Sequence, residues 1–175
     1  MYKLKKNGLK WLKVLHLLCV CCWLGGAAAL TFLNYFQAKS DSQAMLYGMN
    51  YAGHIVDVWV IIIPGAIGCL VTGLIYGLFT TWGFFKHRWL VVKWILTVAA
   101  ILSGTFLLGE WEQAMLKMSG VKDVFSFENP DYLHVRTKHF VMSSVQIAML
   151  LTMIWLSVFK PWKSGGSAKK PSGDV

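Results

Sequence analysis

Apolar residues run almost unbroken through four stretches of the chain: Trp11–Phe36, Ile55–Thr81, Trp89–Gly109 and His134–Phe159. Each has the roughly 20 residues that a helix needs to cross a hydrocarbon core. The runs are continuous and do not alternate, which predicts helices and argues against a membrane β-barrel. Backbone polar groups in lipid have no water to bond, so helices that satisfy them internally are the expected form. The pattern predicts an all-α, integral membrane four-helix bundle, with one four-span membrane domain over residues 1–162. The Ser/Gly/Lys/Pro-rich stretch 163–175 reads as a disordered cytoplasmic tail.

Polar residues inside the runs recur at helical spacing, which places them on single faces. His16, Val20, Trp23, Ala27, Leu30 and Asn34 share a face of the first span. His54, Asp57, Ile61, Gly65, Gly68 and Thr72 share one on the second. The third presents Lys93, Thr97, Ala100 and Gly104, and the fourth His139, Ser143, Gln146, Leu150 and Met153. A polar face turned to lipid is costly, so these faces are expected to point into the bundle. Gly73-x-x-x-Gly77 has the spacing of a close helix contact, and Pro64-Gly65 predicts a kink. Gln37–Gly53 and Trp111–Leu133 read as the longer loops, the second with a short surface helix near Glu112–Met118.

Charge adds a topology. The net charge of +9 is concentrated before the first span, between the second and third, and after the fourth. The two remaining loops hold Asp41, Glu112, Asp123, Glu128 and Asp131. The positive-inside rule then puts both termini in the cytoplasm. With the basic residues so placed, the expected partner is the lipid bilayer and not nucleic acid. The location implied is a bacterial cytoplasmic (inner) membrane. Ala27-Ala28-Ala29 imitates a signal-peptide cleavage site, but the apolar run continues through Phe36, so a retained anchor is expected. Cys19, Cys21, Cys22 and Cys69 all lie within spans and read as packing residues, with no disulfide framework in the loops.

The ionisable residues within the spans carry the candidate chemistry. His16 and Lys93, with His87 near the edge, form a layer toward the cytoplasm. His54, Asp57, Glu110, His134, Arg136 and His139 form a second, roughly 20 Å away at ~1.5 Å per helical residue. Histidines projecting from facing helices are what the axial positions of a haem take. His54 with His139 is the bis-histidine candidate for haem b, and Arg136 is suited to a propionate. His16 with Lys93 or His87 is the candidate for a second site. His16, His54 and His139 are equally candidate metal ligands, since histidine–carboxylate clusters also bind copper or zinc. Asp57 or Glu110 with Arg136 is alternatively a structural ion pair. Walker, zinc-protease and nucleophile-elbow motifs are absent from the sequence.

Trp11-Leu12-Lys13-Val14-Leu15-His16 followed by Trp23-Leu24-Gly25-Gly26, then Pro64-Gly65 with Gly73, then Trp89-Leu90-Val91-Val92-Lys93, make a recognisable series. It resembles a superfamily of small bacterial membrane proteins that includes HemJ-type protoporphyrinogen oxidases and copper-resistance protein D membrane domains. The resemblance covers about the first 110 residues. It implies that His16 and Lys93 match the superfamily's characteristic His and Lys, and it implies haem b and porphyrinogen oxidation for the HemJ-type members. Thr31-Phe32-Leu33-Asn34 stands where those members have an Arg.

The function expected is a membrane-embedded b-type haem protein with a redox or electron-transfer role, linked to quinone or a membrane redox partner or acting on a porphyrinogen. The alternatives are a metal or small-solute transport protein and a non-catalytic assembly subunit. The sequence leaves oligomeric state and catalysis open.

Overall fold

The computed structural model describes residues 5–79, 87–121 and 126–162. Among them the regular structure is entirely helical. Four helices dominate: α1 (Lys6–Gln37), α2 (Gln43–Phe79), α3 (Arg88–Ser119) and α4 (Pro130–Phe159), each long and apolar enough to cross a membrane. A 3₁₀ turn, Ser126–Glu128, leads into α4. The tail 163–175 and most of the basic connection between α2 and α3 lie outside the described residues.

Two expected loops turn out to be helix. The second span begins at Gln43, not near Ile55, because Ser42 caps it: the Ser42 hydroxyl accepts from the Met45 N–H at 3.1 Å. The third span continues through Gly109 to Ser119, so the short surface helix expected at Glu112–Met118 is the last part of α3. Its buried residues Glu112, Met115 and Ser119 continue a helical stripe. The fourth helix starts earlier too. Asn129 accepts from the Asp131 N–H at 2.9 Å, and Pro130 takes the first position, where a missing N–H costs nothing. Lys160, with φ 45°, closes it in a left-handed cap.

The extra turns meet at what we call the acidic end, where α1 and α3 finish and α2 and α4 begin. Leu46, Met115 and Tyr132 form a small core there. Gln43 ties it together: its amide donates to the Ser119 carbonyl (2.7 Å) and to Ser126 Oγ (2.8 Å), and its Oε1 accepts from the Ser126 N–H (2.9 Å). A larger core, including Cys19, Trp23, Ile61, Ala100 and Met153, fills the middle of the bundle.

Helix α1 packs against α2 and α4, and α3 packs against α4. Glycines bring α1 and α2 together. A Cβ on Gly65 would lie 2.9 Å from the Trp23 Cα, and one on Gly26 2.5 Å from Ile61 Cγ1. These positions, not Gly73, carry the close approach; Gly73 only faces Trp94 of α3 at an ordinary 3.7 Å. Among the described residues, helices α2 and α3 pack extensively only at the acidic end, between Gln43–Val56 and Gly109–Ser119. Between that contact and Trp94 they stand apart.

Both helices widen along this gap. Helix α2 is π-helical over Asp57–Ile67 and α3 over Gly104–Leu108. Pro64 therefore does not end its helix; the wider turns accommodate its missing N–H. The outer surface is apolar, with Trp11, Phe32, Ile95, Phe106 and Val158 well exposed, while Asn34, Glu112, His139 and Gln146 are buried. This inverts the distribution of a soluble bundle and is compatible with lipid contact.

Candidate functional site

The gap between α2 and α3 is a cleft of about 200 Å³. Ile61, Ile62 and Ala66 of α2 face Ile101, Gly104 and Thr105 of α3 across it. Trp23 and Ala27 of α1 and Ser143 and Gln146 of α4 close the back. The walls are mostly hydrocarbon, and the π-helical turns of both helices contribute to them. Polar groups gather toward the acidic end, where Asp57 and His139 border the cleft.

His139 is buried, and its Nδ1 has no hydrogen-bond partner. The buried Trp23 indole N–H on the cleft wall also lacks one. An unmet buried polar group costs on the order of 1–3 kcal/mol, so two beside one cleft require an explanation. Gln146, on the same face of α4 as His139, is by contrast held by the Ser103 hydroxyl at 3.0 Å.

A second cavity, of about 20 Å³, lies on the acidic side of His139. Asn34 and Gln37 of α1, Asn50 of α2 and Glu112 of α3 line it. The Glu112 and Asp57 carboxyl groups are close neighbours. The Glu112 Oε1 is nevertheless unpartnered. Gln37 Nε2 donates to Asn50 Oδ1 (2.9 Å), and Asn50 Nδ2 donates to the Tyr132 hydroxyl (3.2 Å). Arg136 donates to the Asn34 backbone carbonyl at 2.6 Å and lies over the Phe127 ring at 5.5 Å. The ion pair expected between Arg136 and Asp57 or Glu110 does not form; Glu110 is exposed.

Toward the other, basic end the polar groups are matched. His16 Nδ1 lies 2.7 Å from the Thr72 hydroxyl, with the Tyr76 ring edge-on at 6.0 Å. Lys93 donates to Ser157 Oγ at 2.8 Å. His16 and Lys93 are close enough to interact electrostatically, as their depth along the spans suggests. His87 stacks against Trp89 at 6.1 Å at the start of α3.

The structure thus brings His139 and Asp57 to one cleft and His16 and Lys93 to one layer. His54 is half-buried beside Asp57 on α2 and lines neither cavity, and His134 is exposed. Among the described residues no three His, Cys, Asp or Glu side chains form a metal-binding group. Glu112 and Gln37 are the residues that sequence reasoning placed in loops. The signal for Glu112 was available: Leu108, Glu112, Met115 and Ser119 keep a helical interval past Gly109. Comparisons with protein-family models, curated proteins and solved structures find no match to this chain.

Proposed function

We propose that this chain is a membrane-embedded redox protein in which the cleft between α2 and α3 would take haem b, with His139 as the residue that would hold it. The observation that carries this reading is the buried His139 imidazole, unpartnered at Nδ1, at the edge of a largely apolar cleft. Helix-borne imidazoles facing the interior of a bundle are the usual protein contribution to such a site. Ala27, Ala66, Ala100 and Gly104 supply the small side chains that a flat macrocycle needs beside it. The cleft is smaller than the roughly 300–1,000 Å³ of enclosed ligand pockets, but it is open along one side, where Ile62 and Ile67 are exposed.

The haem would supply one-electron chemistry. The protein would orient it through His139 and exclude water with hydrocarbon walls. Arg136 serves α1–α4 packing in this reading, and His16 is a packing residue held by Thr72. His54 lines neither cavity and has no part in holding the haem in this reading. We further propose that both termini face the cytoplasm of a bacterial inner membrane, and that electrons pass to or from quinone or a membrane redox partner.

The test is the absorbance spectrum of detergent-purified protein, oxidised and dithionite-reduced, with haem quantified as the pyridine complex. A b-type spectrum with one haem per chain supports the proposal. Colourless protein from haem-replete cells overturns it.

The position of His139 between two cavities favours a second reading, transport of a metal or small solute along the α2–α3 side. That reading requires uptake that depends on Asp57 in protein without pigment.

A further inference from the structure

The small cavity at the acidic end contains an unusual surplus of acceptors. Asn34 Oδ1, Gln37 Oε1 and Glu112 Oε1 are all buried without a hydrogen-bond partner, and all three residues line it. Their side chains are 4, 5 and 5% exposed, respectively. The Gln37 orientation is set by its neighbours: its nitrogen is engaged by Asn50, whose own nitrogen is engaged by Tyr132, leaving the Gln37 oxygen over. Three buried oxygens around one void need a donor or a cation.

Size and charge narrow the occupant. A cavity of about 20 Å³ is enough for one water-sized particle, which needs about 10–15 Å³ on this measure. The charged neighbours are the Asp57 and Glu112 carboxyls and the Arg136 guanidinium, with the His54 and His139 imidazoles and the Tyr132 phenol alongside. Two carboxyl groups stand against one guanidinium, so the cluster has room for one added positive charge. The unpartnered atoms here are three oxygens and the His139 Nδ1 at the cavity's edge, and the oxygen majority favours a hard cation over a transition metal.

We infer that Asn34, Gln37 and Glu112 form a binding site for one sodium-sized monovalent cation. The site joins three helices: α1 gives Asn34 and Gln37, α3 gives Glu112, and α2 gives Asp57 as the adjoining charge. Occupancy therefore locks the acidic ends of α1, α2 and α3 together. The inference does not depend on haem, because none of its three oxygen ligands lines the larger cleft.

The experiment is thermal unfolding of the full chain in detergent, followed by fluorescence of its nine tryptophans, in NaCl, KCl or choline chloride at equal ionic strength. Sodium is expected to raise the midpoint by several degrees in a saturable way that choline does not reproduce and potassium reproduces weakly. Radioactive sodium should bind at one ion per chain. Glu112→Gln should abolish the response, and Asn34→Ala should weaken sodium binding by about tenfold or more. Asn34→Ala keeps the backbone carbonyl that Arg136 uses, so it decides the matter if Glu112→Gln does not fold. Equal midpoints in all three salts, or a sodium response intact in either variant, would overturn the site and leave the cavity to an ordinary water.

Discussion

The two ends of this bundle hold similar side chains in opposite conditions. Toward the basic end His16 meets Thr72 and Lys93 meets Ser157, each within 2.8 Å. Toward the acidic end His139, Glu112, Gln37 and Asn34 are at least as deeply buried, yet each leaves an atom unpartnered. Both sets are desolvated; the second, although Gln37 bonds Asn50, leaves at least one buried atom of each residue without a partner. A polar group whose bonds are met within the fold fixes helix packing. One whose bonds are unmet, beside a void, is placed for something that the chain itself does not supply.

Changes that separate the helices should erase the difference between the ends. Gly65→Leu has the largest expected effect. Its Cβ would lie 2.9 Å from the Trp23 backbone, so α1 and α2 must part, at a cost of about 3 kcal/mol or more. Little monodisperse protein is expected on size exclusion. A normal yield would mean that α1 and α2 are not held by this contact.

Next in size is Gln43→Ala. It deletes four hydrogen bonds, one of them long, that tie α2 to the chain around Ser119, Val121 and Ser126, and the expected loss is roughly 2–3 kcal/mol in thermal or denaturant unfolding. The loss should be confined to the acidic end, with hydrogen exchange accelerating in 109–119 and not in 88–100. Uniform acceleration would show that the two ends unfold as one.

His16→Ala sharpens the comparison from the matched side. Thr72 retains its bond to the Gly68 carbonyl at 2.6 Å, so the cost should be about 1–2 kcal/mol, as for the loss of one hydrogen bond and some packing. Glu112→Gln is the smallest effect and has the opposite sign. The amide keeps the volume, can donate to Asp57, and removes a buried carboxyl, so in sodium-free buffer it should stabilise by about 1 kcal/mol. A loss of several kcal/mol would instead make the carboxyl pair structural.

The face of α4 could be read from the sequence because one long helix imposes one periodicity: His139, Ser143, Gln146, Leu150 and Met153 are all buried. Four helices long enough for a membrane were equally legible, since length and hydropathy are local properties. What could not be read was which helix ends extend and what meets there. Asp41, Glu112 and Asp131 look alike in a list of loop acids, but only Glu112 falls on the buried stripe of α3. Gln37 and Gln43 show no pattern of their own; partners 13 and 83 residues away give them their roles. The cleft was also hidden, because it depends on how α2 and α3 diverge through their π-helical turns, a property of tertiary packing.

The most direct measurement compares reduced-minus-oxidised absorbance spectra of the wild type, His16→Ala and His139→Ala, purified side by side from haem-replete cells. If unmet groups mark the ligand site, the b-type bands vanish in His139→Ala and persist in His16→Ala. Bands that survive in His139→Ala and vanish in His16→Ala would place the cofactor at the matched end and contradict the account.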